Sequence, residues 1–255
     1  MKLEIDFGMD NFNVIKEYSC ILNFIQSQIT TGLKTAIIGI SGGKDSTIVA
    51  KLLVDALGKE NAIGVIMPND VQPDFLDAQM VCDLLEIKQH VIDISKIYNA
   101  FINDLTNIQS TLNNQVLNNI PPRIRMTILY AIAQSYPGGR VVGTGNMSEN
   151  YIGWCTKWGD MACDFNPIAH LTCSQVVELG DYLNLPYELV HKIPSDGLTG
   201  KSDEENFGFT YKDLDSFLSI PGTILSPEVF GLISKRHLAS LHKIGVRTLS
   251  NNSNI

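Results

Sequence analysis

The chain has 255 residues, of which 44% are hydrophobic and 18% are charged. This length and this balance are typical of a globular protein with one sizeable core, so we predict a single domain over residues 1–255. The 19 basic and 27 acidic residues give a formal net charge of −8. Because non-specific nucleic-acid binding depends on neutralising phosphates, this charge argues against nucleic acid as a partner. An anionic ligand must then bind at local positive groups.

The cysteines and the N-terminus bear on location. The five cysteines form no C-x-x-C pair, which argues against a zinc ribbon or a disulfide framework and favours reduced thiols in the cytoplasm. Residues 1–12 contain three acids and no apolar run, unlike a secretory signal. No apolar stretch approaches the length of a membrane span, so no membrane contact is predicted.

Apolar residues alternate between helical spacing and short buried runs along the first half of the chain. The helices predicted from this spacing cover 11–32, the stretch between the turn at 41–46 and Gly58, 74–86, 95–108 and 121–135. The predicted strands are 35–40, 62–67, 90–94 and 141–144. Polar, glycine-containing loops follow at 153–164 and 194–208, and two closing helices are predicted at 211–218 and 226–242. The alternation predicts an α/β fold with a Rossmann-like, doubly wound parallel sheet and helices on both faces.

A glycine-rich turn joins the first predicted strand to the next helix. It reads Ser41-Gly42-Gly43-Lys44-Asp45-Ser46. In a parallel sheet, ligands bind beyond the carboxyl ends of the strands, where a helix N-terminus attracts anions. The two glycines let the backbone approach an anion, the serines add hydroxyl donors and Lys44 adds a positive charge. A carboxylate in such a turn repels phosphate unless a divalent cation bridges them, so Asp45 is predicted to be a magnesium ligand.

Two other interpretations of this turn exist. The phosphate loop G-x-x-x-x-G-K-[ST] does not fit, because Lys44 is followed by Asp45 and Ile38 stands at the first glycine position. A kinase or GTPase is therefore disfavoured. The second alternative is a structural glycine turn with Asp45 as a first-turn charge, which the strand–turn–helix context makes the weaker interpretation.

The turn resembles the SGGxDS signature of the PP-loop ATP pyrophosphatases, which cleave ATP between its α- and β-phosphates. That family includes NAD synthetases, the ATP domain of GMP synthetase, asparagine synthetases and several tRNA-modifying enzymes. The resemblance implies an adenine nucleotide alpha hydrolase-like fold and ATP as co-substrate. It also implies ATP contacts from Gly39, Ile40 and residues 41–46, with Lys44 and Asp45 as catalytic residues.

Later segments resemble the NAD synthetases within this family. They are NIPPRIRM at 119–126, GTGNMSE at 143–149, GWCTKWGD at 153–160 with Asp164, the polar loop at 194–204 and LHK at 241–243. With the turn, these matches extend over residues 39–243 and so cover most of the chain.

This closer resemblance implies roles for single residues. The further ATP contacts would be Thr144 and Ser195, and Glu149 would be the second magnesium ligand beside Asp45. The residues that would bind deamido-NAD are Arg125, Lys157, Asp164 and His242. Asp160 would assist in binding or deprotonating ammonia and would complete the catalytic residues.

The same residues have plainer explanations when they are taken singly. Pro121 and Pro122 can occupy a first helical turn, which would place Arg123 and Arg125 at a positive helix end suited to an anionic substrate. Exposed arginines are nevertheless common, and Glu149 could be an ordinary acid at a helix start. A lone histidine on an amphipathic helix, such as His242, is often structural.

The chain departs from the NAD synthetase pattern in two places. Cys173 stands where the family commonly has a lysine that contacts ATP, and Ile66 stands where it often has arginine. The resemblance therefore implies either weaker ATP binding or another cation in the missing lysine's place, for which Lys201 is a candidate.

The expected reaction is ammonia-dependent NAD synthesis. Magnesium-ATP would adenylate the nicotinate carboxylate of deamido-NAD, and ammonia would displace AMP. We expect no glutaminase domain, and the resemblance implies a homodimer with deamido-NAD at the subunit interface. The alternatives are a different amidating or thiolating PP-loop ligase, or a nucleotide-binding sensor that has lost catalysis.

Overall fold

The computed structural model describes residues 12–70, 74–192 and 202–244. Its strands are β1 (Thr35–Gly39), β2 (Ala62–Ile66), β3 (Lys88–Val91) and β4 (Gly139–Val142). The helices of the first half are α1 (Val14–Ser27), α2 (Lys44–Leu57), α3 (Phe75–Leu84), α4 (Ser95–Ile108) and α5 (Asn114–Ser135). Those of the second half are α6 (Met147–Ile152), α7 (Cys173–Tyr182), α8 (Tyr187–Val190), α9 (Asp203–Phe207), α10 (Tyr211–Ser219) and α11 (Pro227–Ser240).

The four strands form one parallel sheet in the order β3-β2-β1-β4. Ile37 of β1 pairs in register with Ile63 of β2 and with Val141 of β4. The strands β1 and β2 are apolar and almost wholly buried, as expected where both faces of a sheet are covered. The chain runs from β1 outward to β3 and then returns to β4 on the other side of β1, which opens a crevice at the carboxyl ends of β1 and β4.

Helices cover both faces of the sheet. On one face, Ile21 and Ile25 of α1 and Ile48 and Leu52 of α2 belong to the largest apolar cluster, which also includes residues of α3, α7 and α8. On the other face, α5 packs on β1 and β4. The prediction of a doubly wound α/β sheet is confirmed.

A smaller cluster of helices lies beside the sheet. Phe207, Leu214 and Ile233 bring α9, α10 and α11 together against α6. The spacing of apolar residues predicts α10 and α11 but not α6 or α9. These two helices have only six and five residues, too few for a helical period to show.

The prediction that Pro121 and Pro122 begin a helix is wrong. The helix α5 begins at Asn114, because the Asn113 side chain caps it by accepting from the backbone N–H of Val116 at 3.0 Å. Both prolines therefore lie inside the helix. Arg123 and Arg125 are then two to three turns from the positive helix end, and the helix dipole does not explain an anion site at these residues.

The other helix and strand predictions differ from the structure mainly at their ends. The third strand covers Lys88–Val91 rather than 90–94, and the fourth covers Gly139–Val142 rather than 141–144. No helix in the described parts of the chain combines the length and the apolar character that a membrane span needs.

Candidate active site

The glycine-rich turn leads from the end of β1 into the first turn of α2. The N-cap of α2 is Gly43, which has no side chain to accept from the first-turn amides. Ser46 Oγ donates to the Gly43 carbonyl at 3.1 Å, and Ser41 Oγ accepts from the Gly43 N–H at 3.2 Å. These bonds hold the shape of the turn, while the helix N-terminus supplies the partial positive charge that attracts phosphate.

Position 42 requires a glycine, because of its backbone conformation and because other residues pack closely against it. Its φ of 80° lies in the left-handed region. A Cβ at this position would lie 2.5 Å from the carbonyl oxygen of Asp74 and 3.0 Å from Cβ of Asp77. The turn therefore packs directly against the start of α3, and only glycine allows this approach without displacing the backbone.

Lys44 and Asp45 form a pair at the start of α2. Lys44 Nζ donates to Asp45 Oδ2 at 2.7 Å, and the lysine side chain is 5% exposed. Burial alone would lower the pKa of the Lys44 ammonium, but the charge of Asp45 raises it, and the net shift is upward. Lys44 is therefore a permanent positive charge beneath the turn.

Asn146 connects Asp45 to Glu149 across the crevice between β1 and β4. Its Nδ2 donates to Asp45 Oδ1 at 3.0 Å, and its Oδ1 accepts from the Glu149 N–H at 3.0 Å. Glu149 completes a capping box at the start of α6. Asn146 is not among the predicted site residues, although the N-x-x-E spacing before a helix could have indicated it.

The Glu149 carboxyl group keeps its proton to a higher pH than an ordinary glutamate does. Burial and then the charge of Asp45 raise the pKa of Glu149 to about 8, and Lys44 opposes this rise. A divalent cation would relieve the repulsion between Asp45 and Glu149. In the described part of the chain, no group of three or more His, Cys, Asp or Glu side chains could hold a metal ion by itself. The pair fits Mg²⁺, which commonly takes one or two carboxylates and completes its coordination with phosphates and water.

Arg125 and Asp160 face the cavity beyond β2. Arg125 Nε donates to the Met67 carbonyl at 3.0 Å, which fixes the guanidinium at the end of β2. The Asp160 carboxylate accepts from the Thr156 N–H at 2.7 Å. It is open to the cavity, yet the surrounding protein removes enough water to raise its pKa above the ordinary value.

These side chains line one cavity of about 390 Å³. Most of the predicted site residues lie in its wall: Gly39, Ile40, Ser41, Gly43, Lys44, Asp45, Ser46, Arg125, Thr144, Glu149 and Asp160. The cavity therefore brings together the turn after β1, the loop after β4 and one side of α5.

Other predicted residues lie outside this wall. Lys157 Nζ donates to the carbonyl of His242, so these two meet each other on the surface. Asp164 is exposed and accepts from the Val141 N–H at 2.7 Å. Gly42 lies behind the turn, against α3. Ser195 and Lys201 lie outside the described residues.

Several further residues near the site are not among the predicted site residues. The hydroxyl of Tyr211 donates to Asp203 Oδ2 at 3.0 Å, and its ring centre lies 5.9 Å from Lys44 Nζ. Asp203 and Lys192 also line the cavity. Cys173 is buried close to Lys44, and burial raises the pKa of its thiol to about 12. Chain folding alone brings these residues together, and no spacing rule predicts it.

Comparison with known proteins identifies the family. The family model for NAD synthase matches residues 17–245. An NH(3)-dependent NAD(+) synthetase from Thermococcus sibiricus is 41% identical over 212 residues, which is 82% of each chain.

Solved structures agree with this match. An NMN synthetase from Francisella tularensis superposes with a TM-score of 0.86 at 35% identity, over 94% of this chain and all of the other. An NH3-dependent NAD synthetase from Campylobacter jejuni superposes with a TM-score of 0.79 at 28% identity, over the same shares. The match over nearly the whole described chain, together with the carboxylate pair beside the glycine-rich turn, shows that this chain belongs to the NAD synthase family.

Proposed function

We propose that the protein uses ATP to amidate the nicotinate carboxylate of deamido-NAD with ammonia, releasing AMP and pyrophosphate. The observation that carries this proposal is the convergence of the turn, Arg125, Glu149 and Asp160 on one cavity. This arrangement provides a phosphate site, two carboxylates for a cation and a cation for an organic carboxylate within one space. A different PP-loop ligase would share the phosphate site, but not the segments that match the NAD synthases.

The turn and Lys44 stabilise the leaving group in this proposal. As the bond between the α- and β-phosphates breaks, negative charge accumulates on pyrophosphate. The buried Lys44 ammonium and the N-terminus of α2 are already oriented toward that charge, so little reorganisation is needed.

Asp45 and Glu149 would hold Mg²⁺ against the phosphates. Bound there, the cation would neutralise the charge that the pyrophosphate acquires. Asn146 holds both carboxylates before substrates arrive, because its Nδ2 donates to Asp45 Oδ1 and its backbone N–H donates to Glu149 Oε2 at 3.4 Å.

Arg125 and Asp160 act on the other substrate. Because its Nε is held by Met67, Arg125 can direct its remaining N–H groups at the nicotinate carboxylate. This holds the carboxylate for attack on the α-phosphorus of ATP. Asp160 can then accept a proton from ammonium, and its raised pKa makes it a better base than an ordinary aspartate.

A homodimer is part of the proposal. Lys157, Asp164 and His242 lie outside the cavity, where they can meet the rest of a dinucleotide at a subunit interface. The helix α4 buries none of its residues and exposes Ile97, Phe101 and Ile108 by 47%, 54% and 86%. Sedimentation analysis tests this part, and a monomer at micromolar concentration would refute it.

The proposal also includes a cytoplasmic location, which rests on the five free cysteines.

A second acceptor is favoured by one comparison. The Francisella tularensis relative is described as an NMN synthetase, and nicotinate mononucleotide carries the same carboxylate as deamido-NAD. The purified protein should therefore receive magnesium-ATP and ammonium with each acceptor separately. A higher kcat/KM for the mononucleotide would replace deamido-NAD in our proposal, whereas ADP and orthophosphate as products would refute the mechanism.

Asp45→Asn tests the metal assignment. The variant keeps the size of the side chain and removes the charge, so we expect turnover to be abolished while the circular dichroism spectrum stays unchanged. Asp55→Asn, on the far end of the same helix, is the matched control. Full activity of Asp45→Asn would remove Asp45 from the proposed metal site.

A further inference from the structure

The cavity wall carries few positive charges for a nucleotide triphosphate. Cys173, at the N-terminus of α7 and close to Lys44, is buried outside this wall. Burial raises the pKa of its thiol to about 12, so it carries no charge at neutral pH. Among the described residues, three basic side chains line the cavity: Lys44, Arg125 and Lys192.

Two of these three cations already have a role in the proposed function. Lys44 pairs with Asp45 beneath the turn, and the Nε of Arg125 is bonded to the end of β2. Lys192 has no part in the reaction as described so far. It is therefore the cation whose place in the cavity needs an explanation.

Lys192 lies beside the phosphate-binding turn. Its ammonium donates to Asp74 Oδ1 and to Asp77 Oδ2. The same two aspartates are the residues that a Cβ on Gly42 would strike, since Asp74 O would be 2.5 Å away and Asp77 Cβ 3.0 Å away. The lysine is thus attached to the wall against which the turn packs.

The ion cluster of Lys192, Asp74 and Asp77 is open to solvent. The side chains are 28%, 35% and 36% exposed, respectively. Ion pairs in this range of exposure are weak, because water screens them and holding the side chains costs entropy. A lysine on a flexible four-carbon stem can leave such a pair, or share it, when a more highly charged anion arrives.

We propose that Lys192 binds the triphosphate of ATP. The inference rests on the proposed function, because it assumes that ATP occupies the cavity. Before ATP binds, Asp74 and Asp77 hold the ammonium at the edge of the turn. With ATP present, the phosphates attract it, and the two aspartates stay hydrated by solvent.

Lys192→Gln tests this role. Calorimetry measures how tightly the variant binds three probes, each with Mg²⁺: α,β-methylene-ATP, pyrophosphate and AMP. Loss of a charge-assisted contact should weaken binding of the first two about tenfold or more. AMP, which lacks the β- and γ-phosphates, should bind as it does to the wild type.

Lys51→Gln is the matched control. Lys51 is 27% exposed and also pairs with an aspartate, Asp55, but it does not line the cavity. Unchanged affinity of Lys192→Gln for α,β-methylene-ATP, as for Lys51→Gln, would overturn the inference. An equal loss for AMP would also overturn it, since this would indicate a general structural effect.

A second set of variants keeps the inference testable if the first variant does not fold. If Lys192→Gln does not fold, the triple variant with Asp74→Asn and Asp77→Asn removes the whole charge cluster and is compared with the Asp74→Asn, Asp77→Asn double variant. Weaker binding of α,β-methylene-ATP and pyrophosphate, but not of AMP, by the triple variant than by the double variant would support the inference. Equal affinities of the two variants for α,β-methylene-ATP would overturn it. Failure of the wild type to bind α,β-methylene-ATP would instead overturn the proposed function itself, and the inference with it.

Discussion

Replacing Glu149 by glutamine should change how the stability of the metal-free protein depends on pH. In the folded protein the pKa of Glu149 is raised to about 8, from an ordinary value of 4.5 for a glutamate that is open to water. Between these two values the folded state holds one proton more than the unfolded state. The free energy of unfolding must therefore fall as the pH rises through this window, and the fall ends near the folded pKa.

The size of this effect follows from one proton. It amounts to about 1.4 kcal/mol per pH unit, so the loss between about pH 6 and about pH 7.5 is about 2 kcal/mol. Glu149→Gln has no proton to retain at this position and should lack this part of the loss. The variant should thus gain about 2 kcal/mol relative to the wild type over that interval.

Urea denaturation in the presence of EDTA, at several pH values, measures the difference. Glu178→Gln, at an exposed position of α7, is the control and should keep the pH dependence of the wild type. If the stability curves of wild type and Glu149→Gln run parallel over this interval, Glu149 does not hold a proton in the folded protein. The electrostatic argument for a cation between Asp45 and Glu149 would then fail.

Two further predictions concern the turn and the buried support of the site. Gly42 has φ 80°, and a Cβ there would lie 2.5 Å from a backbone oxygen, so Gly42→Ala should displace the turn and weaken binding of α,β-methylene-ATP about tenfold or more. Gly43 has φ −91°, and a Cβ there would lie 3.3 Å from a hydroxyl, so Gly43→Ala should weaken binding less. Equal losses for the two variants in a binding titration would contradict this reasoning. Asp215→Ala removes a buried acceptor of one backbone N–H and two serine hydroxyls between α6, α7 and α10, so urea denaturation should show a loss of about 3 kcal/mol. Asp213→Ala, which removes a half-buried side chain of the α10 capping box, should cost only about 1 kcal/mol, and a similar loss for both would refute the role of the buried contacts.

The centre of the fold could be predicted from the sequence because its signals are local. The apolar run of β1, the glycines of the turn and the apolar spacing of α2 follow each other without interruption. They predict a strand, a tight turn and a helix, and hence an anion site at their junction. Once the order of strands is known, the loop after β4 must return beside this junction, and Glu149 meets Asp45 there.

The prediction failed where a distant residue decides the local structure. The two prolines suggest a helix start, but Asn113 caps the helix eight residues earlier and the prolines are carried inside it. The places of Lys192 and Tyr211 depend on how the second half of the chain folds over the cavity. The spacing of apolar residues along the chain does not predict that packing. The prediction of one domain over residues 1–255 stays a prediction. So do the roles of all the predicted site residues, including those outside the cavity wall.

The strand order has a consequence for the evolution of this site. Because β1 and β4 are neighbours, the separation between Asp45 and Glu149 is set by one strand spacing, about 4.8 Å, and by two short turns rather than by the long chain between them. Insertions and deletions in α4, which buries no residue, can therefore reshape the outer surface of the molecule without moving the two carboxylates. Such an arrangement would let the proposed subunit interface on α4 change in evolution while the carboxylate pair is preserved.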